Sequence, residues 1–213
     1  TNRVYIWEYE ILQADPEVTF PAAEVIYGDS LKKATLSSQS GEGVFRFADD
    51  TTMLTVAENQ SEQEMIFTPA NPNYKTVTSN IPVTVKPRSI TIRPDRTEKE
   101  YGQTITEYTW SISDGSLAGD DQLEDLKINV TLTAGNAEKE NCTVTEKTPL
   151  TADNANYTVL FKPGTLQVQP KPLGVVWNTD GTVIYTGKEA NVSAVFTGVL
   201  FEDDCKAVVE GGN

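Results

Sequence analysis

Three landmarks recur along this chain in the same order and at nearly the same spacing. That recurrence constrains the fold more than any single segment does. Tyr27-Gly28-Asp29 is matched by Tyr101-Gly102-Gln103, 74 residues later, and by Tyr185-Thr186-Gly187-Lys188, another 84 on. Asn71-Pro72-Asn73-Tyr74 is matched by Asn154-Ala155-Asn156-Tyr157, with the tyrosines 83 apart. Pro82-Val83-Thr84-Val85-Lys86-Pro87 is matched by Gly164-Thr165-Leu166-Gln167-Val168-Gln169-Pro170. A period of roughly 75–85 residues is the size of a small domain, not of a solenoid repeat. It predicts one repeat over residues 15–86, a second over 87–169 and part of a third over 170–213. Residues 1–14 are then the closing strand of a preceding repeat. The chain starts without Met or a signal peptide, so it reads as a segment of a longer protein.

The elements within each period are strands. Short alternating or β-branched runs occur at Val4–Ile11, Val18–Phe20, Val44–Phe47, Met65–Thr68, Ile81–Val85, Ser89–Arg93 and Tyr108–Ile112. They continue at Lys127–Thr133, Cys142–Thr145, Tyr157–Phe161, Thr165–Val168, Leu173–Trp177 and Ala190–Phe196, each bounded by Gly, Pro, Asn or Asp. Only Asp120–Leu126 reads as helical, for barely two turns. The fold expected is all-β: tandem small Ig-like β-sandwich repeats in an extended array, with β-grasp-like units carrying one short helix as the alternative.

Each landmark has a local physical role. Asn side chains bond their own backbone two residues on and build the turn, so Tyr74 and Tyr157 open the next strand, as a tyrosine corner does. Gly28, Gly102 and Gly187 permit the positive φ of a tight bend, and Tyr27, Tyr101 and Tyr185 supply buried area beside it. Pro82, inside a closing strand, predicts an edge position or a bulge. The proline junctions at Pro87 and at Pro170-Lys171-Pro172 predict semi-rigid hinges. Trp110 and Trp177 sit in strand-like runs and read as core.

Composition removes whole classes of function. The chain has no histidine, so neither a His-based nucleophile system nor a His-ligated metal site can exist. A formal charge of −14 opposes broad contact with nucleic acid. No apolar run is long enough to span a membrane as a helix. Cys142 and Cys205 fall in different repeats and read as two free thiols. Asp49-Asp50, Asp120-Asp121 with Glu124-Asp125, and Glu202-Asp203-Asp204 offer oxygen ligands of the kind calcium takes, but none has the spacing of a calcium loop. Solvated loop charge is the expected reading, with no cofactor. Phosphate-binding glycine loops and catalytic serine or zinc motifs are absent, which leaves a non-enzyme.

The ordered landmarks resemble a known family. Val18-Thr19-Phe20-Pro21, Ile26-Tyr27-Gly28-Asp29, Phe67-Thr68-Pro69, Asn73-Tyr74 and Val83-Thr84-Val85 resemble the tandem extracellular repeats of large bacterial surface proteins. Ile90-Thr91-Ile92, Lys99-Glu100-Tyr101-Gly102, Leu117-Ala118-Gly119-Asp120, Asn156-Tyr157 and Gly164-Thr165-Leu166 resemble the MBG repeat of the YGX type. Ile184-Tyr185-Thr186-Gly187-Lys188 with Phe196-Thr197-Gly198-Val199 is similar to the YDG type. The second repeat departs from the pattern by a charged insertion around Gly135–Asn141. The resemblance implies a secreted, cell-wall-associated stalk or adhesive arm without catalytic residues.

The function expected is therefore an extracellular spacer whose first partners are neighbouring repeats of the same chain. The alternative is a carbohydrate- or glycoprotein-binding module, with Trp7, Tyr108 or Tyr185 as ring platform for a host glycan. A further expectation is strand exchange, with Val4–Leu12 pairing to an incomplete sheet, either its own first repeat or another chain's third.

Overall fold

The structure, a computed structural model, describes residues 3–4, 6–37, 41–135, 140–177, 187 and 193–206. The fold is all-β, and no α-helix occurs among these residues. The strands are β1 (Ala23–Ile26), β2 (Thr35–Leu36), β3 (Gly43–Phe47), β4 (Ser61–Pro69) and β5 (Val77–Lys86). Next come β6 (Arg88–Pro94), β7 (Thr97–Glu100), β8 (Trp110–Asp114), β9 (Leu132–Ala134) and β10 (Cys142–Glu146). The last are β11 (Tyr157–Phe161), β12 (Gly164–Gln169), β13 (Gly174–Trp177) and β14 (Ala194–Thr197). Two compact units result. One comprises Thr1–Arg93, Ser111–Thr131 and Thr148–Lys162; the other comprises Pro94–Trp110, Leu132–Lys147 and Pro163–Asn213.

In the first unit β1 to β5 form one sheet in the order β2-β1-β5-β4-β3. The pair β1·β5 is parallel and the other pairs are antiparallel. Strand alternation places Phe45, Phe47, Met65, Phe67, Ile81, Val83 and Val85 on one buried face. Arg46, Glu62, Glu64 and Asn80 fall on the opposite, exposed face. Val18, Phe20, Ala34 and Val56 pack over the buried face, so loops and short 3₁₀ turns cover it. Phe45 meets Phe20 edge-on at 5.6 Å and Phe67 at 4.7 Å. Burying each such ring contributes about 1.5–3 kcal/mol. The same unit holds a three-stranded sheet, β11-β6-β8, in which β11 and β6 are parallel. Ile90, Ala118, Leu126 and Tyr157 form its core.

In the second unit the order β7-β12-β10-β9, with β7·β12 parallel, repeats the connectivity β1-β5-β4-β3. β13 and β14 make a separate antiparallel pair.

Several expectations need correction. Residues 6–12 form no strand, and their apolar side chains are exposed. Among the described residues the chain is tied down only from Gln13 onward, by Gln13 Nε2 on Pro72 O, a parallel bridge from Ala14 to Tyr74 and an Asp15–Lys75 ion pair. Val18–Phe20 packs on the core without strand pairing. Of Lys127–Thr133, only the end enters β9. The expected helix at Asp120–Leu126 is a single 3₁₀ turn, Leu123–Leu126, closed at its start by Gln122 and Asp125. Pro82 lies in the central strand of its sheet, neither at an edge nor in a bulge. The carbonyl of Val83 and the N–H of Val85 both bond toward the β4 side. By alternation Pro82 faces the β1 side, one residue outside the ladder that begins at Ala23↔Val83, so its missing N–H takes nothing from the sheet. Trp177 is 54% exposed and Trp110 is only half-buried, so neither ring is fully in a core.

The length difference between repeats also lies elsewhere than expected. The β9–β10 connection, 135–141, is shorter than the β3–β4 connection, 48–60. The extra residues fall between β8 and β9, at 115–131, where the first repeat has only 37–42.

Candidate functional site

Both complete Tyr-Gly landmarks end a parallel ladder in the same way. The Tyr27 amide donates to the Lys86 carbonyl at 2.9 Å, and the Tyr101 amide to that of Gln169 at 2.8 Å. The chain then turns: Asp29 N–H reaches Ile26 O, and Gln103 N–H reaches Glu100 O, each at 3.0 Å. Gly28 and Gly102 hold φ of +83° and +86°, the third position of a type II turn. The Asn landmarks agree as closely. Asn73 and Asn156 N–H each donate to the side chain two residues back at 3.0 Å.

What closes over each Tyr-Gly turn is a loop from further along the chain. The Tyr27 hydroxyl donates to Asp121 Oδ2 at 3.0 Å, and the Tyr157 hydroxyl donates to the same atom at 2.6 Å. The Tyr157 oxygen also accepts the Ala118 N–H at 2.8 Å, and the two rings meet edge-on at 5.5 Å. Gly28 lies so close to Ala118 that any Cβ there would overlap it. Arg88 braces the turn from below, with Nε on Tyr27 O at 2.9 Å and its guanidinium on Asp29 at 3.1 Å. The amide nitrogen of Val56 donates to Asn156 Oδ1 at 2.9 Å.

The second instance repeats these parts. The Tyr101 hydroxyl donates to Asp203, its ring meets Phe201 edge-on at 5.6 Å, and Gly102 abuts Leu200. The covering loops fold alike: Asp121 N–H bonds Ala118 O at 2.9 Å, and Asp203 N–H bonds Leu200 O at 3.0 Å. Lys171 pairs with Glu100 at 3.1 Å beside it. Phe201 and Glu202 hold positive φ of 55° and 58°, a strain of about 1–2 kcal/mol each that the first loop lessens by having Gly119.

Burial, reinforced by the bond to Asp121, pushes the Tyr157 hydroxyl up to about 12. Tyr27 rises for the same two reasons. Asp29 is held below the usual carboxylate range, chiefly by its bond to Lys33 and then by Lys33 and Arg88 charge. The arrangement is a neutral phenol pair on one carboxylate. It is suited to holding two segments together.

The remaining expected residues scatter. Tyr74 is 41% exposed while Tyr157 is 6%, because the first repeat lacks the 115–131 loop that covers Tyr157. Tyr74 instead borders an open cleft of about 540 Å³ with Asp15, Glu17, Gly41, Glu42 and Phe67. Trp7 is 86% exposed. Tyr108 is half-buried, and burial raises its hydroxyl. Gly187 has φ +71°, and Tyr185 lies outside the described residues. Both cysteines are free. Among the described residues no cluster of three or more acidic or Cys side chains could hold a metal ion. Asp49 is occupied by Thr51 and Thr52, whose bonds keep its carboxyl below the usual range.

Asp121 and Asp203 were the residues missed, read from sequence as solvated charge. A signal existed: Leu117-Ala118-Gly119-Asp120-Asp121 and Val199-Leu200-Phe201-Glu202-Asp203 stand 82 residues apart. No known protein family, curated protein or solved structure matches the chain.

Proposed function

We propose that this chain is a non-catalytic run of tandem sheet modules, acting as an extracellular stalk or spacer of a bacterial surface protein like those with MBG- and YDG-type repeats. The observation that carries this is the joint itself. Twice, a Tyr-Gly turn ending one repeat's parallel ladder is clasped by an Asp-bearing loop from the next repeat. A joint repeated with the same parts is what a spacer needs, since it fixes each module to its neighbour without long linkers. For the finer fold, the central parallel pairing of first and last strands and the one-sided apolar face speak against an Ig sandwich. They share the strand pairing of the β-grasp-like alternative, with 3₁₀ turns where that alternative has its helix. The net charge keeps neighbouring stalks apart.

Single-molecule pulling tests the reading. A spacer gives discrete unfolding events, and Tyr27→Phe lowers the force of one of them. Smooth extension without such events overturns it. A second reading, a glycan-binding surface, is favoured by the cleft beside Tyr74. Glycan-array binding lost on Tyr74→Ala would support that reading, and an array without hits would end it.

A further inference from the structure

The exposed segment before the first repeat carries a pattern that its own fold leaves unused. Ala14 bridges Tyr74 in parallel, its N–H donating to Asn73 O at 2.9 Å. Arg88 meets Tyr157 in the same way, with its N–H on Asn156 O at 2.9 Å. Ala14 and Arg88 therefore open their repeats at one equivalent position. Counting back from each aligns Trp7, Tyr9 and Ile11 with Ile81, Val83 and Val85 of β5. Those three β5 residues are buried, in a strand flanked by β1 in parallel and β4 antiparallel. The second repeat has Gly164, Leu166 and Val168 at these places, and the first two are buried. Trp7, Tyr9 and Ile11 are more than 80% exposed instead. Glu8 and Glu10 fall where β5 turns Pro82 and Thr84 outward, and Ile6 and Leu12 fall at the outward positions of Asn80 and Lys86.

We infer that residues 6–12 are a donor strand that completes a sheet module of the kind this chain contains. The segment enters between a parallel β1-like neighbour and an antiparallel β4-like one, and Trp7, Tyr9 and Ile11 fill that module's core. Its own first repeat is not the recipient, because β5 already occupies that place. The occupant is another module with the same strands and an open central position. This rests on the tandem-module reading, yet it is tested by burial and not by mechanical strength.

The experiment places a copy of residues 14–76 directly ahead of Arg3 in the whole chain, with Trp110 and Trp177 replaced by Phe. The added residues carry counterparts of β1 to β4 without a closing strand. The expected result is a blue shift of Trp7 emission, several-fold weaker acrylamide quenching, and slowed amide exchange over residues 6–12. All three disappear with Tyr9→Lys plus Ile11→Lys, which keeps the Trp7 reporter, and persist with Ile6→Lys. Trp7 as open to quencher in the extended protein as in the parent overturns the inference, whether or not the added residues fold. So does Trp7-dependent binding of the parent chain to phosphatidylcholine vesicles, which would make lipid the occupant.

Discussion

Tyr157→Phe isolates one hydroxyl in the first joint, since Phe keeps the ring and its packing. That hydroxyl donates to Asp121 at 2.6 Å and accepts the Ala118 N–H at 2.8 Å, and both Tyr157 and Ala118 are buried. Leaving the Ala118 N–H without a partner costs about 1–3 kcal/mol. The bond to the carboxylate adds about 1.5–3 kcal/mol, partly recovered because Tyr27 still donates to Asp121 and the carboxylate is only half-buried. A net loss of about 2–4 kcal/mol follows. The same substitution at Tyr74 removes a hydroxyl from an exposed ring, and the expected change is within about 0.5 kcal/mol. Equilibrium urea unfolding followed by circular dichroism measures both, with unchanged m-values as the check on comparability. Equal losses for the two variants, or less than about 0.5 kcal/mol for Tyr157→Phe, would refute the reasoning that the covering loop makes the difference.

Three further outcomes are expected. Because the folded Tyr157 titrates near 12 and the unfolded one near 10.0, its contribution is whole below the lower value. It fades as pH climbs through the higher one, by about 3 kcal/mol in total. Urea midpoints of the native chain should therefore fall more steeply across this window than those of Tyr157→Phe, and parallel curves would contradict the assignment. Gly28→Ala, with positive φ and Ala118 against it, should cost at least about 3 kcal/mol. Gly119→Ala meets nothing within 4 Å and should cost only the backbone strain of about 1–2 kcal/mol, as thermal or urea unfolding will show. With both thiols free, reductant should leave the melting temperature unchanged, and exposed Cys205 should alkylate before half-buried Cys142; a shift of several degrees would point to a bridge.

The joints also separate what was legible in the amino-acid order from what was not. The Tyr-Gly turns and the Asn-x-Asn-Tyr turns could be read directly, because glycine's φ freedom and the Asn-to-backbone bond act within four residues. Strands such as Tyr157–Phe161 were equally plain from β-branched and aromatic content. Thr97-Glu98-Lys99-Glu100 was not, since nothing in its own pattern marks it as β7; its partner β12 makes it a strand. The same holds for Asp121, Asp203 and the contrast between Tyr74 and Tyr157. Local order supplied identical turns to both tyrosines, but their burial depends on whether a loop some 40 residues away in sequence folds over the ring. Conformational preference is short-ranged and so is written in the chain, whereas burial and partner choice are long-range packing outcomes that only the assembled sheets decide.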